Sequence, residues 1–139
     1  MGQGSSIIKK INYEDLQKNI QSFVLLNTLP IQKQECLIIN TISINDEERK
    51  INDLMNSNSY KFPIFIYGEN TNDVSLFNKY NQLTSLGFTN IYIYPGGLFE
   101  WLCLQDIYGD DLFPTTKREL DILKYRPPSN YNKLSISYK

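Results

Sequence analysis

Four short apolar runs, at 23–26, 37–39, 62–67 and 91–94, lack the every-second-residue polarity of a strand with one wet face. Each reads as a strand covered on both sides. Segments of helical pattern stand between them. Asn12 followed by Asp15 reads as an N-cap with an acid in the first turn, opening a short helix that carries Leu16 and Ile20 inward. Asn45 with Glu48 resembles a capping box for a helix reaching about Met55, with Ile51, Leu54 and Met55 on one side. A further helix is expected from about Val74 to Leu86, and another from Leu98 to about Tyr108, with Trp101 in the core. Strands alternating with helices predict right-handed crossovers and a mostly parallel α/β sheet. In such sheets the functional crevice lies beyond the carboxyl ends of the strands, which points to the loop at 68–73.

At 139 residues the chain suits one domain. Three segments are expected: a flexible stretch 1–11, a folded domain 12–113, and a basic helix and tail 114–139. Residues 115–139 hold Lys117, Arg118, Lys124, Arg126, Lys133 and Lys139 against Glu119 and Asp121, although the whole chain carries a net charge of only −1. Thr116 followed by Glu119 predicts a last helix to about Tyr125, stopped by Pro127-Pro128.

From residue 62 the order is strand, polar loop, helix, Leu86-Gly87-Phe88, strand, Pro95-Gly96-Gly97 and Glu100-Trp101. That order resembles the C-terminal half of a rhodanese-like domain, in which a strand delivers a catalytic cysteine into a short loop. The resemblance covers about residues 12–108 and is strongest from 62 to 101. It implies a five-stranded, mostly parallel sheet with helices on both faces. In the family the loop cysteine accepts a sulfane sulfur as a persulfide, and backbone amides at a helix N-terminus cradle it; such an arrangement stabilises an anion and lowers a thiol pKa.

At the cysteine's place this chain has Gly68, and the loop continues Glu69-Asn70-Thr71-Asn72-Asp73. It holds no sulfur nucleophile and no Arg or Lys, and it adds two carboxylates. At about 4 Å and an effective dielectric near 20, each like charge opposes an anion by roughly 4 kcal/mol. The resemblance therefore implies a degenerate loop with no catalytic residue, and an electronegative one. Asn72 and Asp73 are expected to cap the helix that follows. The earlier half departs in the same direction. Asn27 and Leu29 stand where the family commonly carries the acid and arginine of an Asp-Val-Arg segment, and 37–44 lacks the His, Pro and Gly of its usual HIPGA motif.

Histidine is absent, so no imidazole activates a serine or cysteine. Cys36 and Cys103 fit no metal-ligand spacing and are expected to be buried apolar residues. No metal or cofactor is expected. Met1-Gly2-Gln3-Gly4-Ser5-Ser6 fits the N-myristoylation pattern, with Gly2 as the acceptor. One myristoyl chain binds membranes only marginally, with a constant around 10⁴ M⁻¹, so a second signal is needed. Lys9, Lys10 and the basic tail are candidates for it.

The sequence thus predicts a catalytically inactive rhodanese-like module in the cytoplasm, tethered peripherally to a membrane and bound to a protein partner, with no nucleic-acid role. Two rival readings are an active sulfur carrier using Cys103 or Cys36 and a soluble structural protein without lipid. A third, anion or nucleotide binding in the loop, is opposed by Glu69 and Asp73.

Overall fold

The structure is a computed structural model that describes residues 7–18 and 22–131. Its sheet has four parallel strands in the order β1 (Lys9–Lys10), β4 (Ile91–Tyr94), β3 (Ile64–Tyr67), β2 (Val24–Asn27). Three of these strands are covered on both faces, which is why their sequences run apolar without alternation. Val24, Leu26, Ile64, Ile66, Ile91 and Ile93 point to one side, where α2 (Glu47–Asn56) and α3 (Ser75–Ser85) bury Ile51, Leu54, Leu76 and Leu83. Leu25, Tyr67 and Tyr94 point to the other, beside α1 (Tyr13–Leu16) and α4 (Gly97–Tyr108). There Trp101 is fully enclosed, its ring edge-on to Phe113 at 5.0 Å.

Local chemistry explains the element ends. Asn12 closes a reciprocal cap on α1: its Oδ1 accepts from Glu14 N (2.9 Å), and its own amide donates to Asp15 Oδ2 (3.2 Å). Leu16 is buried as expected; Ile20 lies outside the described residues.

Several expectations need correction. Among the described residues the sheet has four strands rather than five. Residues 37–39 form no strand, because their amides are taken elsewhere: Leu37 N donates to Thr116 Oγ1, Ile38 N to Tyr67 Oη, and Ile39 N to Pro114 O. One isolated antiparallel bridge, Ile38 to Thr115, remains. Asn45 does not cap α2; Asp46 holds that position without a side-chain cap bond. The helix expected from Thr116 to Tyr125 is absent. Thr116 Oγ1 instead donates to Glu35 O (3.0 Å), and only a 3₁₀ turn, Ile122–Tyr125, forms.

The expected segment boundaries shift for the same reason. Lys9–Lys10, within the stretch expected to stand free of the fold, pairs with Tyr92 and Ile93 as an edge strand. Residues 114–125 are integral to the domain: Trp101 Nε1 donates to Pro114 O (3.1 Å), Thr116 N to Leu37 O (2.8 Å), and Tyr125 is buried.

Candidate functional site

The strand register sets Asn27, Tyr67 and Tyr94 side by side at the carboxyl edge of the sheet. The next residues, Thr28 and Gly68, therefore open the loop region together. Thr28 N donates to Tyr67 O (3.0 Å), continuing the ladder one step past β2. Behind the loop stands the N-terminus of α4. Leu98 N donates to Gly68 O (3.0 Å) and Phe99 N to Glu69 O (2.9 Å), so the loop carbonyls satisfy amides that a helix start leaves open. This contact requires Gly97. Its φ is +69°, and a Cβ there would stand 2.6 Å from Gly68 O and 2.9 Å from Asn70 N.

Asp73 fills the centre of the loop. Its Oδ2 accepts from Thr28 Oγ1 (2.9 Å) and from Glu69 N (3.0 Å), while Oδ1 accepts from Ser75 N (2.9 Å). The last bond ties Asp73 to the first turn of α3, in keeping with its expected capping role. Asn72 does not share that role; its amide donates to Asn70 Oδ1 (2.9 Å). Thr71 is exposed at the tip. Asn70 is buried and sends Nδ2 to Tyr125 O (2.8 Å). The amides of Glu69, Asn72, Asp73 and Ser75 are thus all donated within the loop and its helix start.

Residue 68 has no room for a side chain as the loop stands. A Cβ built on it would lie 2.3 Å from Asp73 Oδ2 and 2.7 Å from Asp73 Cγ. The carboxylate occupies the space into which a side chain at 68 would project.

Cations that arrive from far away in sequence offset the carboxylates that make the loop read as electronegative. Lys33, in the 3₁₀ turn Ile31–Lys33 after β2, pairs with Glu69 (Nζ to Oε2, 2.5 Å) with both side chains largely shielded. Its Nζ also donates to Lys124 O (3.3 Å). Lys124 and Arg126 line the same 430 Å³ depression as Glu69 and Asp73, and Lys124 is itself paired with Glu119 (3.2 Å), so cations and carboxylates balance. No local signal in the sequence links residue 33 or 124 to residue 69. Thr28 was findable, because a residue just past the end of β2 must neighbour residue 68 in a parallel register.

Neither thiol is in the loop. Cys36 is buried, and burial pushes its thiol pKa up. Cys103, expected to be buried, is partly exposed on α4; desolvation, then Asp106 and Glu100, raise its pKa too. Both shifts reduce the thiolate fraction near neutral pH. No group of three or more metal-ligating side chains is assembled among the described residues.

Residues 13–103 match the family model of the rhodanese-like domain. The chain belongs to the rhodanese-like domain family. Solved structures agree at the level of fold. The BH2092 protein from Bacillus halodurans is 18% identical, with a TM-score of 0.57, covering 96% of this chain and 93% of its own. An As-Sb reductase from Leishmania major is 16% identical, with a TM-score of 0.55, covering 96% and 100%. The rhodanese-like domain of the Alr3790 protein from Anabaena sp. is 20% identical, with a TM-score of 0.54, covering 88% and 87%. None of the curated proteins matches the chain. In this rhodanese-like domain Gly97 lets the loop backbone rest directly on the start of α4.

Proposed function

We propose that this rhodanese-like domain has given up sulfur transfer and serves as a binding module, tethered to a membrane through a myristoyl group on Gly2. One observation carries the first half. The Asp73 carboxylate sits in the place of a side chain at residue 68, held by Thr28 and the amides of Glu69 and Ser75. A cradle that ordinarily receives an anionic sulfur species is filled by the chain's own anion. The loop offers a persulfide no sulfur to form on, and the amides of Glu69 and Ser75 are already taken by Asp73. What remains is a rigid scaffold presenting loops, which suits recognition of a protein partner.

The test is cyanide-dependent thiocyanate release from thiosulfate. Wild type is expected to match the blank; turnover that disappears on Cys36→Ser or Cys103→Ser would overturn the reading.

The tether rests on the sequence pattern at the amino terminus, since Gly2 lies outside the described residues. Among the described residues no helix is long and apolar enough to cross a membrane. A lipid on Gly2 with nearby lysines gives reversible, peripheral attachment on the cytoplasmic side. Replacing Gly2 by Ala is expected to move the protein from the membrane fraction to the soluble fraction, and unchanged fractionation excludes the anchor.

A further inference from the structure

We propose that the outer face of α4, with the turn that follows it, is a docking surface for a basic, amphipathic segment of a partner protein. This inference stands apart from the loop and from its lost chemistry.

α4 spends one side on the core, through Leu98, Trp101, Leu102 and Gln105. Its far end is different. Ile107, Tyr108 and Leu112 are 68%, 61% and 55% exposed, three large apolar side chains within six positions. Isolated exposed apolar residues are ordinary, but a group of them is not. The group is also rigidly mounted. The Tyr108 ring lies 6.2 Å from Phe113, which in turn contacts Trp101 (5.0 Å) and Tyr13 (5.5 Å). Gln17 Nε2 donates to Leu112 O (2.6 Å) and pins the turn. Anchors fixed before binding lose less side-chain freedom when a partner arrives.

Charge identifies the partner. Between Lys79 and Lys117 the sequence contains no Lys or Arg, and its acids are Glu100, Asp106, Asp110 and Asp111. Asp110 pairs with Arg118 (2.6 Å). Asp106 and Asp111 have no ion-pair partner among the described residues, and they flank the apolar group. A patch of apolar anchors flanked by two carboxylates without ion-pair partners among the described residues, Asp106 and Asp111, complements lysine- or arginine-rich segments carrying apolar side chains. A second copy of this chain would present the same acids across a two-fold interface, and an anionic membrane would be repelled.

The experiment uses the full chain and a fluorescent 18-residue amphipathic peptide of Leu and Lys, with a Leu/Glu peptide of the same pattern as control. Fluorescence anisotropy is expected to show one-to-one binding of the Leu/Lys peptide, weakened by added salt. Ile107→Ser with Tyr108→Ser, and separately Asp106→Asn with Asp111→Asn, are each expected to weaken it at least tenfold. Glu48→Gln, on α2 at the opposite face, is expected to leave it unchanged. All substituted positions are exposed, and circular dichroism melts confirm folding. Equal binding of the Leu/Glu peptide, or full affinity in both α4 variants, overturns the proposal. So does a concentration-dependent dimer that Ile107→Ser abolishes, which would assign the face to self-association.

Discussion

Asp73 and Gly68 exclude one another's alternatives: the Asp73 Oδ2 stands 2.3 Å from the point where a Cβ on residue 68 would be. A cysteine placed at residue 68 therefore overlaps a carboxylate that three hydrogen bonds hold in place. Gly68→Cys is expected to destabilise the domain by about 1–3 kcal/mol, the usual range for overpacking. Asp73→Ala alone loses the loop's central acceptor and costs about 1–2 kcal/mol. Combined, the two are expected to cost less than their sum by at least about 1 kcal/mol, because the second change relieves the first. Urea melts of the four proteins measure this coupling. Strict additivity would show that the carboxylate swings aside freely.

Tyr67 and Tyr94 face each other in register, yet their hydroxyls have opposite standing. Tyr67 Oη accepts from Ile38 N (3.1 Å) and lies 2.7 Å from Thr41 Oγ1. Tyr94 Oη is buried and makes no hydrogen bond of standard geometry among the described residues, with the Glu100 carboxylate close enough to disfavour its ionisation. Tyr67→Phe should cost about 1–3 kcal/mol by stranding a buried amide, whereas Tyr94→Phe should be neutral or stabilising. Thermal melts of both variants decide the matter, and equal losses would contradict it.

The sequence was most legible where one physical demand dominates. Strand runs covered on both faces cannot hide their apolar character, so 62–67 and 91–94 were found, and Asn12 with Asp15 marked a helix start that formed. Lys9–Lys10 carried no such signal, because an edge strand of two lysines looks like any exposed segment. The run at 37–39 misled because burial alone does not make a strand; its amides bond to a distant hydroxyl and to 114–116. Thr116 misled likewise, since a hydroxyl suited to capping is equally suited to bridging Glu35 and Leu37. The loop at 68–73 lies between β3 and α3 at the carboxyl edge of the sheet, as the strand and helix patterns imply, but its charge surroundings are not local. The cations that offset its carboxylates come from 36 or more positions away, brought there only by the tertiary fold.

Lys33 and Glu69 form the most shielded ion pair at the loop. Exposed ion pairs contribute little, but this one is shielded on both sides, so a coupling of about 1 kcal/mol is expected, at the upper end for surface pairs. A double-mutant cycle with Lys33→Met and Glu69→Gln measures it. The expected pattern is that each single change destabilises more than half of the double. Because Lys33 Nζ also reaches Lys124 O, Lys33→Met should additionally speed proteolysis of the segment after residue 120. Unaltered cleavage there would mean that Asn70 and Tyr125 hold the segment without Lys33.

Buried phenols make the fold sensitive to alkali. Burial pushes Tyr125 up to about 12, with Cys36, Glu119, Glu69 and Asp121 adding to the rise. Burial also raises Tyr67 and Tyr94, which Thr41 and Ile38 partly offset for Tyr67, while Glu100 reinforces it for Tyr94. In the unfolded chain a tyrosine titrates near 10. Above that value the unfolded state releases protons that the folded state keeps, so stability falls as pH rises. The contribution is complete below about pH 10, and each tyrosine adds a slope of up to about 1.4 kcal/mol per pH unit above it. For Tyr125 the loss continues to about pH 12, where its folded form also ionises. Urea midpoints between pH 9 and 11 should therefore drop steeply in the wild type and less steeply in Tyr125→Phe. Parallel curves for the two proteins would show that the Tyr125 hydroxyl reaches water in the native state.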